Sequence, residues 1–292
     1  MPEIVSRVRE WFSMASSEGR FQGQVALITG ASSGIGAALA REFAREGAHT
    51  ILVARRVERI QSLADELTAG GRRSLAVAGD VTQDGDLERA VELALKEFGR
   101  LDVAVANAGI LVRGRIATLT LDDYRKQFET NTFGVLRTVM AALPALRKSK
   151  GRMVIVGSLI GMVSIPGGTP YCMSKFALNG LADGLALELE PDGVSVTNVM
   201  SGFVTTEIYN NVTLRRPPHK LITLTPAEAA ASIASAAYRR KRTLMLPWPT
   251  KMAIFLQRHF PWLVYWAIQR AFRKATRHRE MEDAANEGNT SA

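Results

Sequence analysis

Tyr171 and Lys175 stand four residues apart in YCMSK, within a helical pattern, so their side chains share one helix face. A phenol with an ordinary pKa of about 10 is a poor acid or base at neutral pH, but an adjacent ammonium favours its phenolate. The pair is therefore a candidate general acid–base. Upstream, TGASSGIG (29–36) directly follows an apolar strand and opens a helix. Gly30, Gly34 and Gly36 would let the backbone approach a pyrophosphate closely, while the positive end of the helix faces the phosphates. In that position a glycine-rich turn points to dinucleotide binding rather than to a mere tight connection. The second strand ends in TILVARRVER, with Ala54 where a carboxylate would accept hydrogen bonds from a ribose 2′-hydroxyl, and Arg55 and Arg56 next. Arginines there suit a 2′-phosphate, which favours NADP(H) over NAD(H), with Arg55 the preferred contact. Arg59 reads as part of a solvated first helical turn.

These residues need a frame. Val25 to Ile28 reads as a strand, Ala37 to Arg45 as helix and His49 to Ala54 as strand. The alternation continues with helix Val57 to Ala69, strand Ser74 to Ala78, helix Asp84 to Phe98 and strand Val103 to Ala106. Helix Leu121 to Lys148, strand Arg152 to Val156, helix Tyr171 to Glu190 and strand Ser195 to Met200 complete it. This rhythm predicts an α/β fold, a Rossmann-type doubly wound parallel sheet with helices on both faces, whose ligands sit beyond the carboxyl ends of the strands. The expected organisation is an N-terminal extension (1–20), one catalytic domain (21–244), an apolar basic helical segment (245–279) and a disordered tail (280–292).

The residues after the later strands extend the set: GDVT (79–82), ANAG (106–109), Asn131 in ETNTFG and Ser158 in VIVGSLIG. With TGASSGIG and YCMSK, this order and spacing resembles the short-chain dehydrogenase/reductase family of TGxxxGxG/YxxxK type, over about Phe21 to Ile208. The resemblance implies an NADP(H)-dependent alcohol dehydrogenase or carbonyl reductase. Tyr171 would be the general acid for ketone reduction or the base for alcohol oxidation. Lys175 would favour the phenolate and hold the nicotinamide ribose. Ser158, a neutral donor set by the preceding strand, would bind the carbonyl oxygen as charge develops on it, and Asn131 would hold a water linking Lys175 to solvent. For the cofactor, the resemblance implies Ser32, Ser33 and Ile35 beside the three glycines, Asp80 and Val81 at the adenine, and Asn107 and Gly109 on the adenosine side. Val204 and Thr205 in SGFVTTE would follow, with Thr205 at the carboxamide. Ala106 and Ser201-Gly202 depart from the family's usual asparagine and Pro-Gly. A homodimer or homotetramer through the two long helices is likewise implied by resemblance. A second reading keeps the fold without turnover: a membrane-associated, cofactor-sensing binding protein.

Composition narrows the rest. The 292 residues are 47% hydrophobic and 22% charged, a globular balance. Cys172, the only cysteine, excludes an internal disulfide; beside Tyr171 it reads as a small packing thiol. Four scattered histidines argue against a metal centre. The net charge of +9 is localised, because 11 Lys or Arg and no acid lie between Glu228 and Glu280, leaving 26 bases against 28 acids elsewhere. That same region holds PWPTKMAIFLQRHFPWLVYWAIQRAFRK (247–274), two short apolar pieces rich in tryptophan and arginine. Neither piece is long enough to span a bilayer, and the segment reads as a foot on a membrane surface, with a pocket lid or a dimer helix as competitors. Its aliphatic content argues against nucleic acid. Residues 4–14, IVSRVREWFSM, could add an amphipathic helix. The first 20 residues lack a secretory apolar region, so a cytoplasmic, peripherally membrane-associated protein is expected. Leu159, Met162, Val163, Ile165 and Ile208 could line an apolar pocket. A lipophilic ketone or alcohol of steroid, retinoid, long-chain acyl or sphingoid type fits this better than a sugar or an amino acid.

Overall fold

The structure is a computed structural model that describes residues 19–209 and 223–273. The expected helix at 4–14 and the tail from 280 lie outside the described residues. Seven parallel strands form the sheet: β1 (Val25–Thr29), β2 (His49–Ala54), β3 (Ser74–Ala78), β4 (Val103–Ala106), β5 (Arg152–Val156), β6 (Ser195–Ser201) and β9 (Thr243–Leu246). Their order is β3-β2-β1-β4-β5-β6-β9, reversing direction between β1 and β4. Central strands such as VALIT and VAVA are buried throughout, which is why they read as unbroken apolar runs. Two short strands, β7 (Phe203–Val204) and β8 (Thr223–Leu224), pair separately.

Helices cover both faces. On one side, α1 (Gly34–Arg45), α2 (Val57–Ala69) and α7 (Pro226–Tyr238) bury Leu39, Phe43, Ile60, Leu63 and Ile233. On the other, α3 (Asp86–Phe98), α5 (Gly134–Ser149) and α6 (Thr169–Glu188) bury Leu87, Val91, Val139, Leu146 and Leu178. The doubly wound sheet is as expected, with two differences. The helix expected over Leu121 to Lys148 is α4 (Leu121–Phe128) and α5 joined by a π-helical turn, Glu129–Phe133. The other concerns the end of the catalytic domain, expected at 244, which falls inside β9. This strand registers residue for residue with β6, from Asn198 opposite Thr243 to Ser201 opposite Leu246. After it come α8 (Pro249–His259) and α9, a helix over 261–273.

Candidate active site

The carboxyl ends of the strands enclose one cleft, and it lies at the reversal point between β1 and β4, where loops diverge to either side. Its floor is the turn between β1 and α1. Gly30 and Gly34 adopt positive φ, +67° and +56°. A side chain on Gly30 would come within 2.8 Å of Ala108 Cα, so only glycine lets β1 and β4 approach this closely. Asn107 locks the turn, donating from Nδ2 to the Thr29 carbonyl at 2.9 Å, while Thr29 Oγ1 accepts from the Asn107 backbone N–H at 3.0 Å. Helix α1 begins at Gly34 with no side-chain cap from Ser33 and no acid in its first turn. Its leading N–H groups and positive dipole end therefore suit an anion such as a pyrophosphate.

Two arginines flank the end of β2 differently from the sequence reading. Arg55 is largely exposed and sits 3.6 Å from Asp80. Arg56, the less favoured of the two, donates to Ser33 Oγ at 2.7 Å and to Ser32 Oγ at 2.9 Å, which lays its guanidinium against the glycine-rich turn. Its other nitrogen pairs with Glu207 at 2.9 Å, and Arg59 reaches the same carboxylate at 2.8 Å. Arg59 is thus part of a latch rather than a free surface charge, and these hydrogen bonds, that from Arg56 first, hold the Glu207 carboxyl below its ordinary range. At β3, Asp80 accepts from the Thr82 backbone and hydroxyl, and its own N–H donates to Asp86, so the GDVT loop is fixed from both sides.

The reactive side is built on α6. Tyr171 and Lys175 are both buried on its inner face, with Lys175 Nζ 5.7 Å from the Tyr171 ring centre. Lys175 Nζ donates to the Val156 carbonyl at 2.9 Å, and burial lowers its pKa from the ordinary 10.5 to about 8. Ser158 caps a short 3-10 turn by accepting from the Ile160 N–H at 3.2 Å, and its hydroxyl donates to the Ser201 carbonyl at 3.3 Å. Asn131 sits fully buried on the π turn, a distortion that admits one extra residue and lets the side chain face inward. It accepts from the Ile110 N–H at 2.8 Å and donates to the Ile110 carbonyl at 3.0 Å, which ties the loop after β4 to the π turn, and its Nδ2 reaches Ser174 Oγ on α6 at 3.5 Å.

All the catalytic and cofactor-binding residues expected from the sequence line this one cleft except Gly36 and Thr205. Gly36 acts from behind: a side chain there would fall 2.3 Å from the Gly30 carbonyl, so it allows the first turn of α1 to pack on the loop. Thr205 faces the other way, donating from its backbone N–H (3.0 Å) to the Leu224 carbonyl as β7 pairs with β8; Thr206 lines the cleft instead. Thr130 and Glu207 line it too; they fall within ETNTFG and SGFVTTE but carried no expected role. Of the five apolar residues expected at a substrate pocket, Ile208 lines the cleft, joined by Ile110. Cys172 is buried against the Ile165 carbonyl, and burial pushes its thiol pKa up, in keeping with a packing role. Among the described residues no group of three or more His, Cys, Asp or Glu could hold a metal.

Comparison with known proteins places this geometry. A family model described as short chain dehydrogenase matches residues 24–217. The chain is 40% identical over 199 residues to an A-factor type gamma-butyrolactone 1'-reductase (1S-forming) of Streptomyces virginiae, covering 67% of this chain and 77% of that one. A short chain dehydrogenase from Burkholderia cenocepacia, solved in complex with NADP, superposes with a TM-score of 0.70 at 32% identity, over 78% of this chain and 97% of that one. A Burkholderia phymatum short chain dehydrogenase/reductase solved with NAD gives a TM-score of 0.76, over 84% of this chain and 96% of that one; at 23% identity it shows the shared fold. By the family model, these relatives and the cleft itself, the chain belongs to the short-chain dehydrogenase family of oxidoreductases.

Proposed function

We propose that the protein is an NADP(H)-dependent carbonyl reductase or alcohol dehydrogenase acting on a lipophilic substrate. The observation that carries this reading is the buried ammonium of Lys175 beside the Tyr171 ring, in a cleft whose opposite wall is an uncapped helix N-terminus flanked by Arg55 and Arg56. When bound, the nicotinamide cofactor supplies or accepts the hydride. Tyr171 gives its phenolic proton to the substrate oxygen during reduction, and the Lys175 charge stabilises the phenolate that remains. The Ser158 oxygen is fixed by the Ile160 N–H while its proton makes only a long, 3.3 Å bond to the Ser201 carbonyl, so that proton can turn toward the same substrate oxygen as negative charge builds. Asn131 keeps the wall formed by Ile110 and α6 in register, and we assign to it the water through which a proton returns to Lys175.

The lipophilic substrate class is supported by what faces the cleft. Its lining cations among the described residues are Arg55 and Arg56, at the phosphate side, and Lys175, already committed to Tyr171. Ile110 and Ile208 supply apolar walls. The arginines support NADP(H): both stand near the end of β2, where a 2′-phosphate would need positive charge, and one relative is solved with NADP, another with NAD. Reduction is supported by the activity named for the Streptomyces relative. A homo-oligomer is supported by Met140, Met173, Phe176 and Leu187, which stand exposed on α5 and α6.

The test is Tyr171→Phe assayed by NADPH oxidation against a panel of apolar ketones. Turnover is expected to fall about a thousandfold while NADPH still binds; unchanged turnover would overturn the assignment of Tyr171.

A further inference from the structure

The segment after β9 is attached at the rim of the cleft. Gly202, which lines the cleft, donates from its N–H to the Leu246 carbonyl at 2.7 Å, and a side chain on it would lie 3.1 Å from Pro247 Cδ and Thr250 Oγ1. Helix α8 is held to the body by Thr250 and Ile254, one turn apart and both buried. Its other faces carry Lys251, Met252, Phe255 and Arg258 into the open. Helix α9 is less covered still: only Val264 and Ile268 are half-buried, and every other residue from 261 to 273 is exposed. Trp248 and Trp262 are each 68% exposed, with Tyr265, Trp266 and Phe272 on the same segment. Single exposed apolar residues need no explanation, but this concentration on two short helices does. A helix of this length gains most of its stability from a covered apolar face, and the body supplies little cover here.

We infer that this surface docks onto a bilayer carrying anionic headgroups, with the cleft mouth beside the contact. Charge chooses the occupant. No acid lies between Glu228 and Glu280, and Lys251, Arg258, Arg270 and Arg273 are interleaved with the aromatics. In a two-fold contact with a second copy, the same patch faces itself, so these cations would meet each other with no carboxylate in the segment to pair with. Anionic lipid supplies the opposite charge, and tryptophan, tyrosine and arginine suit the headgroup boundary. The Arg270 guanidinium already lies 5.6 Å from the Trp266 ring centre, an arrangement that carries charge and apolar surface together. No helix among the described residues is long and apolar enough to cross a membrane, so the segment lies in the interface. Because Gly202 joins this segment to the cleft wall, a water-insoluble substrate would enter from the lipid side. The docking surface stands independently of the hydride chemistry.

The test uses the full chain with vesicles of phosphatidylcholine alone and of phosphatidylcholine mixed with phosphatidylglycerol. Co-sedimentation is expected with the mixed vesicles, weaker with the neutral ones, and reduced by salt. Three of the four tryptophans lie in the patch, so their emission should shift to shorter wavelength on binding. A Trp262→Glu/Trp266→Glu variant should bind mixed vesicles at least about tenfold more weakly while keeping its affinity for NADPH, which verifies the fold. Failure to bind either vesicle, or binding unchanged in the variant, would overturn the inference. So would a concentration-dependent dimer that the variant abolishes without any vesicle binding, which would assign the face to a second copy.

Discussion

Two buried charges sit at opposite ends of the same sheet, and their surroundings differ. At the amino end, Asp102, the residue before β4, has both oxygens committed: Oδ2 accepts from the Val25 N–H at 2.9 Å and from Arg100 Nε at 2.8 Å, and Oδ1 accepts from Arg100 Nη2 at 2.6 Å. At the carboxyl end, Lys175 has the Val156 carbonyl, and among the described residues no carboxylate forms an ion pair with it. The first charge fastens β1 to β4 and has its counter-charge. The second is kept in a desolvated site at a cost in stability, and that cost is the mark of a group retained for chemistry. A charge that a fold needs is paired; a charge that a reaction needs is left available.

Changes on either side can break this contrast. The largest effect is expected from Lys175→Met, which should cut turnover about a thousandfold, roughly 4 kcal/mol of barrier, measured as NADPH oxidation at saturating ketone. Retained turnover would reduce Lys175 to a packing residue. Asp102→Ala should cost about 3 kcal/mol in urea unfolding, because it strands the Val25 N–H and removes the partner of Arg100, while kcat of the folded fraction stays near wild type. A loss of kcat at full stability would put Asp102 in the site and erase the contrast. Smaller effects belong to the cofactor end of the cleft. Arg55→Ala and Arg56→Ala should each raise the Kd for NADPH about tenfold and leave NADH binding nearly unchanged. An equal loss for both cofactors would remove the 2′-phosphate assignment.

Much of this site was legible because its residues follow strands, and buried parallel strands announce themselves as short apolar runs. What escaped depends on pairings that sequence does not display. Strand β9 begins with the exposed Thr243 after Arg239-Arg240-Lys241-Arg242, so an edge strand was masked by a basic run. The π turn at Glu129–Phe133 contains no proline or glycine to signal a break. Thr205 and Thr206 are chemically equal neighbours, and only the pairing of β7 with β8 decides which one faces the cleft. Glu207 meets Arg56 across 151 positions of chain, a separation at which no local pattern exists. Ser201, where the family usually has proline, keeps β6 in register with Leu246 of β9, and the Gly202 N–H closes the ladder.

Lys175 is buried charged and, among the described residues, without a counter-ion, and the pH dependence of stability tests this. Its folded pKa, about 8, lies below the ordinary 10.5, so the unfolded chain holds the proton more tightly. Below pH 8 both states are protonated and the full burial cost applies. Between about pH 8 and 10.5 the folded chain releases the proton first, so this group's contribution to stability should rise by up to about 3 kcal/mol. Comparing wild type with Lys175→Met by urea unfolding across that range isolates the effect from other titrating groups. The variant should be about 1–2 kcal/mol more stable at pH 7, after allowing for the Val156 carbonyl left unpaired, and should lose that advantage as pH rises. A variant less stable than wild type at pH 7, or a difference that does not change with pH, would show that Lys175 is not a buried, unpaired ammonium.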